Sequence, residues 1–276
     1  MKITLITACY NSEATIRIAM ESVFAQKGVY VEYIVVDGGS KDGTVEILKS
    51  YEKQLLNLST IQPFNFRWLS EKDSGMYDAI NKGIAMATGD VVGILNADDV
   101  LADDETLKRI AAAFEPRNTL NPRNGERIDA VYADIRFVRE GETVEAVRNA
   151  KTVRYCSARR WRPWMFRFAA MVPHPSFYVR RELFEKLGGY SLDYRICADF
   201  ELELRYLGLA KLRSVYLPEC VVVMRMGGMS TSGWRANMVI NREDLRALRS
   251  HGIWSCMPLI YLKYLFKIWG FVFRNQ

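Results

Sequence analysis

Cysteine is sparse in this chain and falls into no pattern. Cys9, Cys156, Cys197, Cys220 and Cys256 are odd in number, scattered, and never spaced as CxxC. This excludes a disulfide framework or a zinc ribbon and fits free thiols in a reducing cytosol. Glycine-rich phosphate cradles are missing too. Neither G-x-x-x-x-G-K-[ST] nor G-x-G-x-x-G occurs, which counts against ATPase and dinucleotide chemistry. No stretch in the first 250 residues is apolar for long enough to span a bilayer. The first apolar run, Ile3 to Cys9, has strand length and is cut off by Asn11, so no signal peptide is expected. Internal repeats and low-complexity tracts are absent. Acid is outnumbered by base, 32 residues to 38, leaving a net charge of +6. Nucleic acid, an anionic membrane surface or a phosphorylated substrate would each answer that excess.

What is present is a repeating alternation of short apolar runs and amphipathic stretches. Strands are expected at Lys2–Ala8, Val31–Val36, Phe66–Leu69 and Val91–Leu95. Helices are expected after a Ser12 N-cap, over Val45–Lys53, and over Met76–Ala87 with Gly89 as the C-terminal stop. That rhythm predicts an α/β fold with a doubly wound, mostly parallel sheet. Beyond Phe114 it changes. Ala130–Phe137 and Thr143–Arg148 are expected as a hairpin, Ser176–Val179 as a strand leading into a helix, Ile196–Tyr206 as a helix, Leu212–Met226 as one or two strands, and Arg235–Ser250 as a charged helix. With 276 residues there is enough chain for one large domain, alone or with an extension.

The organising stretch is Val91 to Val100, a buried-strand pattern that ends in Asn96-Ala97-Asp98-Asp99. Parallel strands bind ligands beyond their carboxyl ends. Asn96, Asp98 and Asp99 offer hard oxygen donors suited to Mg²⁺ or Mn²⁺ carried with a diphosphate. The alternative is that these acids cap the helix starting near Glu105. Two more acids, Asp37 and Asp73, also follow strands, so three acidic loops are expected to converge on one rim as a polar pocket.

Four segments then resemble, in order and in register, the family 2 glycosyltransferases of GT-A fold. They are Thr7-Ala8-Cys9-Tyr10-Asn11, Val35 to Thr44, Asp73 to Gly83, and Asn96-Ala97-Asp98-Asp99. The resemblance implies a Rossmann-like sheet with a smaller acceptor-side region and C-terminal helices. It also implies an inverting transferase using a nucleotide-sugar, usually a UDP-sugar, with Mn²⁺ or Mg²⁺. The glycosyltransferase domain would be 1–226, with a nucleotide-sugar half at 1–115 and an acceptor half at 116–226. Residues 227–276 would form a flexible loop and C-terminal amphipathic helices.

Carried over by position, Thr7 and Tyr10 would line the base pocket, and Asp37 would bind uracil or ribose. Asp73 and Asp78 would edge the donor site. Asn96 would hydrogen-bond ribose or sugar, and Asp98 would be the metal ligand. Gly38 stands where many members carry a second acid. Cys197-Ala198-Asp199-Phe200-Glu201-Leu202 resembles the family's E-D-x-x-L segment, which implies that Asp199 is the catalytic base. His174, one of only two histidines, resembles a segment near the acceptor site.

Two stretches remain outside this scheme. Ile253–Phe273 is apolar except for Ser255 and a stripe of Lys263, Lys267 and Gly270 that Arg274 continues just beyond. It is expected as an interfacial helix with its amines toward headgroups, the alternatives being a helix packed against the domain or a partner chain and a membrane span. Arg159–Trp164 mixes arginine with tryptophan, as wet–apolar boundaries do. The expectation is therefore a cytoplasmic enzyme, peripheral on the inner face of the membrane. It would take a nucleotide-sugar donor and a glycan or lipid-linked glycan acceptor of surface-polysaccharide synthesis, and no nucleic acid. The alternatives are a sugar nucleotidyltransferase and, behind it, a nucleic-acid-binding protein suggested by the positive balance and the arginine–aromatic loop, against which no recognised nucleic-acid module is visible. The nucleotidyltransferase is disfavoured by the missing glycine- and lysine-rich phosphate loop.

Overall fold

The computed structural model describes residues 1–57, 64–115, 126–139, 141–226 and 233–264. The elements run β1 (Lys2–Cys9), α1 (Ile16–Phe24), β2 (Tyr30–Asp37), α2 (Thr44–Asn57), β3 (Phe64–Ser70), α3 (Met76–Met86), β4 (Val91–Ile94), β5 (Val100–Leu101) and α4 (Thr106–Ala113). They continue with β6 (Ala130–Val138), α5 (Val144–Asn149), β7 (Arg154–Cys156), β8 (Tyr178–Arg180), α6 (Glu182–Leu187), α7 (Ala198–Glu203), β9 (Ser214–Arg225), α8 (Gly233–Ser250) and α9 (Met257–Tyr261). Short 3₁₀ turns at Pro163–Phe168 and His174–Ser176 precede β8, and a π-turn, Leu204–Leu209, extends α7.

One sheet in the order β3-β2-β1-β4-β8-β6-β9-β5 carries the fold, with β7 paired to β6. The first half is parallel throughout: β1 lies between β2 and β4, and β3 flanks β2. The second half is mixed. β8 runs antiparallel to both β4 and β6, while β6 and β9 run parallel. Apolar cores cover the two faces. One gathers Ile6, Val36, Ile80, Phe166 and Phe200; the other gathers Ile3, Leu5, Met20, Tyr33 and Leu107. Because β1, β2 and β4 are buried on both faces, they read as continuous apolar runs rather than alternating ones.

Several local expectations are corrected. Ser12 does not cap α1 through its hydroxyl; its carbonyl accepts from Thr15 and Ile16, and Thr15 is the cap residue. Gly89 is not the C-terminal stop of α3, which ends at Met86 with Ala87 following in extended conformation. Gly89 is needed for space instead, since a Cβ there would lie 2.6 Å from Thr4 Oγ1 and 2.7 Å from its backbone nitrogen. Val144–Asn149 is a helix and not the second arm of a hairpin, because Thr143 accepts from the Ala146 N–H and caps it. β7 takes the place beside β6 that the hairpin arm was expected to fill.

The tail is corrected in its described part. Lys263 is buried and bonded to Asp244 of α8 at 2.6 Å, so its amine points into the protein and not toward headgroups. Lys267, Gly270 and Arg274, the Gly227–Ser232 loop, and most of the polar loop 115–127 lie outside the described residues. Among the described residues, no helix is long and apolar enough to cross a membrane.

Candidate active site

The parallel half of the sheet brings the acidic loops to one rim. β1 pairs Cys9 with Asp37, β2 pairs Asp37 with Ser70, and β1 pairs Ile6 with Ile94. Asp37, the segment beginning at Glu71, and Asn96–Asp99 therefore all leave the carboxyl ends of neighbouring parallel strands. The convergence expected of them follows from strand register alone.

The loops differ in what they leave open. Asp37 is fully buried. Its Oδ2 accepts from the N–H groups of Gly39 and Ser40, at 3.1 and 3.0 Å, and from Ser70 Oγ at 2.7 Å. Ser40 Oγ and the Cys9 thiol take Oδ1. The side chain expected on uracil or ribose thus closes its own loop. Thr7 is likewise fully buried, donating to Leu95 O at 2.8 Å and meeting Tyr33 Oη at 3.0 Å, so it does not line an open pocket. Tyr10, the other residue expected there, is 58 % exposed at the rim. Asp73 is half-buried and accepts from Gly75 N–H at 2.9 Å, while Asp78 accepts from Ser74 N–H at 2.9 Å.

The turn after β4 is electrostatically tense. Asp99 is fully buried; its Oδ2 accepts from Asn96 Nδ2 at 2.7 Å, and its Oδ1 has no hydrogen-bond partner. Burial, reinforced by the charge of Asp98, pushes the Asp99 carboxyl well above the usual carboxylate range. Asp98 is half-buried and also raised by burial, against the nearby Arg225 charge. Arg225 donates through Nε to the Asp98 carbonyl at 2.7 Å and leaves Nη2 unpartnered. The capping alternative is excluded for both acids, because Asp103 accepts from Glu105 N–H at 2.8 Å and takes up Thr106 at the start of α4. Two adjacent carboxyl groups, one with an orphaned oxygen, and the amide of Asn96 in the same turn fit a divalent cation, whose charge would offset the like-charge repulsion between them. Among the described residues no cluster of three or more His, Cys, Asp or Glu could hold a metal ion. The set suits an ion whose remaining oxygens come from a diphosphate.

Asp199 stands at the start of α7 and is tied to α3. Tyr77 Oη donates to its Oδ1 at 3.3 Å and also to the Ile196 carbonyl; Phe200 N–H donates to the same Oδ1 at 2.8 Å. Burial raises this carboxyl to about 6 against those hydrogen bonds, with the Glu243 charge adding to the rise. Tyr77 also stacks on Tyr190 at 5.6 Å, and Tyr190 Oη meets His174 Nε2 at 2.6 Å. His174 is half-buried, and desolvation lowers its imidazole to about 4, so it is neutral at physiological pH. The structure therefore joins Asp199, Tyr77, Tyr190 and His174 in one hydrogen-bonded and stacked row.

Three participants were not foreseen. Glu243 of α8 accepts from three consecutive N–H groups, Arg195, Ile196 and Cys197, at 2.9–3.0 Å, and so holds the approach to Asp199. Glu203, one turn beyond Asp199, is fully buried, accepts from Val172 N–H at 3.1 Å and leaves Oε1 unpartnered. Tyr77 lies within the Asp73–Gly83 segment and could have been found by its place between two acids. Glu243 has no local signal, because its role exists only across a separation of 46 to 48 residues.

Comparison with known proteins fits this geometry. The chain is 27 % identical over 246 residues to a PGL/p-HBAD biosynthesis glycosyltransferase of Mycobacterium bovis, covering 89 % of this chain and 83 % of that protein. Its fold matches the crystal structure of S. aureus TarS 1-349 in complex with UDP, with a TM-score of 0.58 at 19 % identity, covering 89 % of this chain and 66 % of that one. It also matches the mannosyltransferase PcManGT from Pyrobaculum calidifontis in complex with GDP-Man and Mn²⁺, with a TM-score of 0.62 at 19 % identity, covering 99 % and 72 %. The architecture is thus an α/β fold with a mostly parallel, curled central sheet, similar to GT-A glycosyltransferases. The model of the family described as "Glycosyl transferase family 2" matches residues 4–188, from β1 to just past α6, taking in every acidic loop of the rim and ending before Asp199. This displaces the nucleotidyltransferase alternative, and the chain belongs to glycosyl transferase family 2.

Proposed function

We propose that this glycosyltransferase is inverting and metal-dependent, and moves a hexosyl or acetamidohexosyl group from a nucleotide-sugar to a hydroxyl of a glycan or lipid-linked glycan. A UDP-sugar is the first donor to test, because TarS binds UDP and UDP-GlcNAc, although PcManGT binds GDP-Man with Mn²⁺. The product would enter surface-polysaccharide synthesis at the cytoplasmic face of a membrane, with peripheral contact. Residues 1–115 would hold the donor, 116–226 the acceptor, and 227–276 would attach to that unit.

The observation that carries this reading is Asp199. Its carboxyl, raised to about 6, is largely ionised at pH 7 yet basic enough to accept a proton. It would take the proton of the acceptor hydroxyl as that oxygen attacks the anomeric carbon on the face opposite the leaving diphosphate. The attack inverts the configuration. Tyr77 holds the carboxylate in place through Oδ1. Asp98, with the Asn96 amide oxygen beside it, would hold the cation, and Asp73, Asp78 and Tyr10 would edge the donor. A bound Mn²⁺ or Mg²⁺ supplies charge neutralisation for the departing nucleoside diphosphate. Neutral His174, on the same row as Asp199, would meet the acceptor as a hydrogen-bond partner. The test is transfer from radiolabelled UDP-sugars to lipid-linked acceptors. Transfer should collapse in Asp98→Ala and Asp199→Asn, and undiminished transfer in both refutes the reading.

A further inference from the structure

The arginine- and tryptophan-rich stretch at 159–167 meets the C-terminal helices in the fold although they are far apart in sequence. Ser255 Oγ donates to the Arg167 carbonyl at 2.7 Å across 88 residues, and α9 packs on the 163–168 turn. On α8, Arg242, Arg246 and Arg249 are exposed and fall at i, i+4 and i+7, which is one face of a helix. With Leu245, Ser250 and Met257 they line an open groove of about 800 Å³. Met257 opens α9, which packs on the 163–168 turn, so the groove borders the 159–167 stretch, where Arg159, Arg160, Arg162 and Arg167 are all exposed.

None of these arginines has a carboxylate within ion-pair distance among the described residues. Arg246 donates to the Asp193 carbonyl and lies 4.3 Å from the Tyr194 ring centroid. The neighbouring acids are engaged elsewhere: Asp193 with Ser191, and Glu243 with the 195–197 amides. Large aromatics stand out among the charges, Trp254 at 70 %, Trp164 at 61 % and Tyr261 at 49 % exposure.

We propose that this composite surface, α8 with its Arg242–Arg246–Arg249 face and the Trp254 turn, is where the chain docks on an anionic phospholipid bilayer. Guanidinium groups left without carboxylate partners match phosphate headgroups, and exposed tryptophan partitions to the headgroup level. Leu245 at the groove floor is packed into the core, so the apolar contribution at the acyl boundary comes from half-buried Met257 and exposed Trp254. Docking therefore does not depend on a lysine stripe, whose first member is buried against Asp244. The inference rests on the membrane-contact part of the proposed function and on none of its chemistry.

The experiment is co-sedimentation of the full chain with vesicles of phosphatidylglycerol and phosphatidylcholine in equal parts, and with phosphatidylcholine alone. Binding is expected to the mixed vesicles only, and to weaken at high salt. Arg242→Ala with Arg249→Ala should weaken it roughly 25-fold, from about a fivefold contribution per arginine near a charged leaflet. Trp254→Ala should weaken it independently, and circular dichroism of each variant should match the parent. Equal binding to neutral vesicles, no binding at all, or undiminished binding by the double variant overturns the proposal. So does inorganic pyrophosphate raising the melting temperature through Arg242 and Arg249 without vesicle binding, which would make this a site for soluble phosphates. Transfer to a soluble acceptor should survive the double variant, so loss of docking and loss of catalysis are read separately.

Discussion

Gly38 gives Asp73 its place: a Cβ on residue 38 would lie 2.5 Å from Asp73 Oδ2 and 3.0 Å from its Cγ. The loop after β2 and the loop after β3 are therefore packed carboxylate against bare backbone. Gly38→Ala should push the Asp73 side chain away and weaken binding of a nucleoside diphosphate by about tenfold, while costing ~1–3 kcal/mol of stability. Calorimetric titration with UDP beside a thermal melt checks both; unchanged affinity would mean that Asp73 does not touch the donor.

Asp199 predicts the shape of the pH profile. Activity should rise with pH through about 6 and level off above it, because the base must be ionised. Asp199→Asn should lower kcat by ~10²–10⁴-fold with little change in donor KM. Stability carries the opposite sign. The folded chain holds this proton up to about 6 while the unfolded carboxyl loses it near 3.8, so this group favours the folded state less as pH rises between those values. The Asn variant should lose that slope in urea melts across the window.

Glu243 should act on the same profile without touching substrate. Its charge contributes to the raised carboxyl of Asp199. Glu243→Gln should move the acid limb to lower pH. Weakened bonds to the three amides at 195–197 should cost ~1–3 kcal/mol of stability. An acid limb that does not move would separate the α8 clamp from the chemistry.

For the cation site, Mn²⁺ with UDP should raise the melting temperature more than UDP alone, and EDTA should reverse the gain. Asp98→Ala should abolish the metal-dependent part and leave the fold intact, since the Asp98 side chain is half-buried and its contact to Arg225 runs through the backbone carbonyl. A gain that persists in Asp98→Ala would move the ligand to another oxygen of the turn.

The Asp244–Lys263 pair fastens the last described turn to α8. Lys263→Met alone should cost ~3–5 kcal/mol by stranding a buried carboxylate, and Asp244→Leu combined with Lys263→Met should recover most of it. Chemical denaturation of the two variants reads the difference. Equal losses would mean that Asp244 is held by other partners.

Local chemistry decided a good deal in advance. Apolar runs ending in acids, separated by amphipathic stretches, determined parallel strands with carboxylates at one rim, because burial on both faces and short β–α connections admit few other arrangements. Tertiary structure alone decided which of those carboxylates stay open. Asp37 turns inward because Gly39, Ser40 and Ser70 converge on it, whereas Asp98 stays half-open beside an unsatisfied Asp99. Thr143 turned an expected strand into a helix by capping, a choice on which propensity over six residues is silent. The row from His174 to Asp199, the Glu243 clamp and the burial of Lys263 depend on contacts between residues 16 to 122 positions apart. Periodicity within a segment carries no information about such distant partners; packing creates them only once the helices have docked.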